Sequence, residues 1–103
     1  MTASDVHLLV QLRATRALIK FIKDHKGGID QDLAACLEAL ERKKIDAAVE
    51  HARRVRVSGM GSVTDWFPPV VFAHETEEYV WSELDALAYN WARLMALSSK
   101  ANR

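Results

Sequence analysis

A chain of 103 residues with fourteen basic and fourteen acidic side chains is sized for one domain that buries about two-thirds of the surface its unfolded chain exposes. The cancelled charge supplies no global field toward nucleic acid or a membrane surface, so neither is an expected partner. A single cysteine excludes an intrachain disulfide, and no apolar run approaches the roughly 20 residues of a membrane span.

The periodicities predict an all-α fold in a single domain, residues 1–103. It should have about four helices: an antiparallel hairpin plus long N- and C-terminal helices, with a Gly/aromatic/Pro plug loop before the last helix. Thr2 or Ser4 can cap the first helix, with Asp5 near its positive end, and the pattern then runs to about Lys26. On a helical wheel Ala14, Ala17, Leu18, Phe21 and Ile22 cluster on one side, while Arg13, Arg16, Lys20 and Lys23 line the other. That basic row has no interleaved aromatic residues and reads as a solvated face. His7, Gln11 and Arg13 interrupt the first apolar residues, and no small-residue cleavage site follows. No signal peptide is therefore expected, and the cytoplasm is the expected compartment.

Gly27-Gly28 should end the first helix, and Asp30 should cap a second whose Leu33, Leu37 and Leu40 form a buried stripe. Cys36 lies among Ala34, Ala35, Leu37 and Leu40, which suits a buried small hydrophobe better than a nucleophile. The apolar pattern pauses at Glu41-Arg42-Lys43-Lys44 before a third helix carrying Ile45, Ala48, Val49, Ala52 and Val55. So short a connection predicts an antiparallel pair. His51 reads as a surface or boundary histidine.

Helical periodicity stops at Gly59-Met60-Gly61-Ser62-Val63-Thr64-Asp65-Trp66-Phe67-Pro68-Pro69. Gly59 and Gly61 can take positive φ, so the backbone can turn sharply. Ser62 with Asp65 three residues on resembles a shortened capping box. Pro68 and Pro69 then force the chain out extended through Val70-Val71-Phe72. Trp66, Phe67, Val70, Val71 and Phe72 carry enough apolar area, at about 25 cal/mol per Å², that the loop should pack down as a plug. The expected partners of Trp66, Phe67 and Phe72 are Leu84, Leu87 and Trp91. A second use of the loop is an anion site on the free amides of Gly59 to Ser62, although the lysine and spacing of a phosphate loop are missing.

Thr76 is the expected cap of the last helix, where Val80, Leu84, Leu87, Trp91 and Leu94 form the cleanest apolar stripe in the chain. Tyr89, Ala86, Ala92 and Ala96 leave its opposite face apolar enough for contact with a second copy or another protein. His74-Glu75-x-x-Glu78 is a look-alike of the zinc-protease motif, but a glutamate replaces its second histidine. No metal, no other cofactor and no catalytic residue are expected.

Charge is uneven along the chain. Residues 1–58 carry eleven basic and eight acidic side chains, residues 59–103 three and six, and no lysine or arginine falls between Arg56 and Arg93. Asp65, Glu75, Glu77, Glu78, Glu83 and Asp85 all lie in that interval and are the expected partner-binding residues.

Gly59-Met60-Gly61-Ser62-x-x-Asp65-Trp66, preceded by a charged helical hairpin and followed by an aromatic-rich helix, resembles a family of small bacterial proteins without an assigned activity. It also resembles immunity proteins that neutralise polymorphic or contact-delivered toxins. The resemblance covers roughly the C-terminal two-thirds of the chain and brings no catalytic residues with it. It implies a bacterial, cytoplasmic, non-enzymatic binding role, and with the acidic residues from Asp65 to Asp85 the first expectation is an immunity protein that binds a cognate toxin. The loop residues Gly59, Gly61, Ser62 and Trp66 carry the alternative expectation, an accessory protein that binds a small molecule or anion.

Overall fold

The computed structural model describes residues 2–101. Its four helices are α1 (Ala3–Asp24), α2 (Gln31–Glu41), α3 (Ile45–Arg54) and α4 (Glu77–Ala101). Each helix packs against two others, in the cyclic order α1, α2, α3, α4 and back to α1. None of them is long and apolar enough to cross a membrane.

Local chemistry sets the helix starts. Thr2 and Asp5 form a reciprocal capping box at α1. Asp30 accepts the amides of Asp32 and Leu33 at α2. The Thr76 hydroxyl accepts the Tyr79 amide at α4. The ends are less regular. α1 stops at Asp24, short of Lys26, and the left-handed residue that reverses the chain is Lys26 itself, with φ 66°. Lys43 does the same after α2, with φ 60°, and sends the chain back along the hairpin. Gly27 has a different task. A Cβ there would lie 2.6 Å from the Trp66 ring and 2.7 Å from Ile22 Cγ2, so only glycine lets the tryptophan settle on the end of α1.

The core joins Leu18, Phe21 and Ile22 of α1, Leu33, Cys36 and Leu40 of α2, Ala48 and Val49 of α3, and Val80, Leu84, Ala88, Trp91 and Met95 of α4. Ala17, expected in it, lies exposed at its edge. Burial pushes the Cys36 thiol up to about 12, which leaves it inert at neutral pH. α1 and α4 run antiparallel and share a buried polar seam. Trp91 Nε1 donates to Thr15 Oγ1 at 2.9 Å, and that hydroxyl donates to the Gln11 carbonyl at 2.7 Å. Gln11 Nε2 in turn donates to the Leu94 carbonyl at 3.0 Å and to Ser98 at 2.7 Å.

The plug expectation needs correction. Trp66 is half-buried, but Phe67 is 78% exposed, and Phe72, Val70 and Val71 are exposed as well. The reason is geometric: α1 and α3 already flank α4 and cover Trp91 and Leu84, so the connection has only the end of the bundle to cover. One tryptophan and Pro68 close that end, and the remaining apolar side chains stay at the surface.

Candidate functional site

The glycine loop is held by its own polar groups. Gly59 and Gly61 take φ of 94° and 76°. The Val63 and Thr64 amides donate back to the carbonyls of Arg56 and Val57, at 2.8 and 3.3 Å. The expected cap at Ser62 runs the other way: its hydroxyl donates to the Gly59 carbonyl at 2.6 Å, while Asp65 Oδ2 accepts the Gly61 amide at 2.7 Å. Asp65 therefore sits where an anion would, and the loop has satisfied with its own carboxylate the amide that an external anion would need.

Glu75 is also engaged inside the fold. Its Oε1 accepts the amides of Val71 and Phe72 at 3.0 and 2.9 Å, and its Oε2 lies 2.7 Å from His25 Nε2. The other ring nitrogen of His25 is 2.8 Å from the Phe21 carbonyl. The Phe21 carbonyl can only accept, so Nδ1 is the nitrogen that donates to it, and Nε2 is left facing the Glu75 carboxylate. Both side chains are 3% exposed. Burial alone would raise the Glu75 carboxyl, but the amides of Phe72 and Val71 and the His25 ring more than offset it and hold it down to about 2. Glu75 thus fastens the extended segment to α1 and is withdrawn from any partner, contrary to expectation. The motif look-alike dissolves with it, because Glu75 faces His25 while the His74 ring lies against Phe72 and Tyr79. Among the described residues no three histidine, cysteine, aspartate or glutamate side chains are grouped to hold a metal ion.

The remaining acids divide by helical register. Glu77, Glu78 and Asp85 stand four before, three before and four after Trp81, which places all three beside it on one surface of α4. Trp81 is 40% exposed, and the Phe67 ring packs on it with centroids 5.3 Å apart and planes tilted by 58°. Glu77, Glu78 and Asp85 are exposed and have no ion-pair partner among the described residues.

Compared with family models, curated proteins and solved structures, the chain matches none.

The fold gathers three of the six expected acids into one place and disperses the others. Asp65 clasps the loop, Glu75 is buried against His25, and Glu83 lies half-buried on another side of α4. Trp81 is the residue that sequence reasoning passed over, and Phe67 the one it expected in the plug and not at the surface. A signal for Trp81 was present, since it falls outside the Val80, Leu84, Leu87, Trp91 stripe and a tryptophan off the buried stripe must find another partner or stay in water. Phe67 carried no such signal, because its exposure follows from the closure of the bundle. The α4 face of Ala86, Tyr89 and Ala96 is exposed, Tyr89 by 50%, and Ala92 is half-buried.

Proposed function

We propose that the chain is a non-enzymatic protein-binding module of the immunity type, a bacterial cytoplasmic protein that covers the active site of a cognate toxin with an acidic surface. The observation that carries this reading is the exposed Trp81–Phe67 pair with Glu77, Glu78 and Asp85 around Trp81. A tryptophan anchor within a charged rim has the anatomy of an interface hot spot, in which the ring fills a pocket on the partner and the rim excludes water. Carboxylates without internal counter-ions complement a basic cleft, such as one built to hold nucleic acid or another polyanion, and they speed encounter with it. The engagement of Gly61 by Asp65 removes the main support for the anion-binding alternative.

The test takes its partner from the reading frames that neighbour this chain's own: a toxin domain found there is purified and its association with the chain is measured. The association rate should fall steeply as salt is raised, and Trp81→Ala should weaken binding by about 30-fold or more, the scale of a hot-spot deletion, with the melting temperature little changed. An affinity within twofold of the parent would remove Trp81 from the interface.

A further inference from the structure

A separate cavity of about 300 Å³ opens between the second half of α1 and the start of α4. Tyr79, Glu83 and Leu87, spaced by one helical turn, line it from α4, and Trp81 projects from another side of the same helix. Ala17 and Phe21 line it from α1, and Phe72 and His74 from the segment that Glu75 fastens down. Three rings make up one wall. Those of Phe72 and His74 lie within 14° of parallel with centroids 6.2 Å apart, and Tyr79 stands across His74 at 77° and 5.7 Å. Phe72 and Tyr79 are 43% and 44% exposed, so their surfaces are not consumed by packing.

The charged and titratable groups that face this space are Lys20, Asp24, His25, His74, Glu75, Glu83 and the Tyr79 phenol. Four of them are engaged with one another, Lys20 with Asp24 at 2.7 Å and His25 with Glu75 at 2.7 Å. Glu83 is half-buried and has no cation paired with it among the described residues. The cavity therefore combines aromatic surface, whose ring faces attract positive charge, with one unbalanced carboxylate. A neutral apolar guest would strip water from Glu83 without replacing it, and an anion would be repelled. We propose that the cavity is a binding site for an organic monocation, an alkylammonium group that sits against the Phe72, His74 and Tyr79 rings and pairs with Glu83. The group could be a free amine or the side chain of a lysine on another protein.

The full-length chain, isotopically labelled, is titrated with n-butylammonium and tetramethylammonium chloride and, in parallel, with the neutral isostere 2,2-dimethylpropanol. Both cations should shift the amides of Phe72, His74, Tyr79 and Glu83 with saturation. Glu83→Gln should weaken binding by about tenfold and Tyr79→Leu by about fivefold, on the scale of a partly exposed cation–ring contact. Trp81→Ala should leave the cation affinity unchanged, which separates this site from the toxin-binding surface. A capped lysine that binds as well as butylammonium identifies a protein side chain as the source, and one that is excluded identifies a free amine. Shifts of equal size with the neutral alcohol would overturn the proposal on the parent protein alone, and so would an unaltered affinity in a folded Glu83→Gln variant.

Discussion

Glu75 Oε2 lies 2.7 Å from His25 Nε2, fifty residues away in the chain, and together with the Phe72 ring set edge-on to His25 this contact ties the segment between the glycine loop and α4 to the end of α1. Because the folded carboxyl is held at about 2 against an ordinary 4.5, the sign of its pH dependence follows. A depressed carboxyl contributes stability that is fully present above its unfolded value and is lost as pH falls toward 2. Denaturation midpoints measured from pH 7 to pH 2 should therefore show Glu75→Gln less stable than the parent at neutral pH, with the gap closing below about pH 4.

Trp91 is 1% exposed, and its indole N–H has Thr15 Oγ1 as partner. Trp91→Ala should cost about 3 to 5 kcal/mol of unfolding free energy. Thr15→Val should cost about 1 to 3 kcal/mol, because it keeps the volume but leaves that buried donor unpaired. Denaturant titration of both variants separates the packing from the hydrogen bond.

Gly27 and Gly28 are adjacent and should respond oppositely to a methyl group. Nothing lies within 4 Å of a Cβ at Gly28, whereas one at Gly27 meets Trp66 and Ile22 below 3 Å. Gly27→Ala should destabilise by about 1 to 3 kcal/mol and Gly28→Ala by well under that. Adding Trp66→Leu to the first should cost less than the sum of the two single changes, as shared strain requires.

Lys26 and Lys43 take left-handed φ at helix ends where glycine is the usual occupant. Lys26→Gly and Lys43→Gly should each raise stability by up to about 1 kcal/mol, read as a higher thermal midpoint.

These residues also show where sequence reasoning stops. The caps at Thr2, Asp30 and Thr76 and the α4 stripe were legible because each is a signal within a few residues: an oxygen near a helix start, or an apolar repeat. The fates of Phe67 and Phe72 were not, because burial depends on whether a neighbouring surface is free, and the four helices cover one another before the loop can. Glu75 and Glu78 look alike in sequence. Only the fold brings His25 and two loop amides to the first and leaves the second beside Trp81 in solvent. The acidic interval was correctly located as a run of charge, but its division among loop clasp, buried pair, cavity and surface depends on helical register and on contacts between residues far apart in sequence.

Whether the Trp81 surface neutralises a basic toxin is tested most directly by co-expression with a toxin domain taken from a reading frame neighbouring this chain's own. Glu78→Lys with Asp85→Lys reverses two exposed carboxylates beside Trp81, while Arg13→Glu with Lys23→Glu makes the same size of change on the exposed face of α1. Exposed charges contribute under about 1 kcal/mol each to stability, so both double variants should fold with nearly the parent melting temperature. Cells should lose protection with the first and keep it with the second. Protection kept by the α4 variant and lost by the α1 variant would contradict the claim and assign the partner to the basic face.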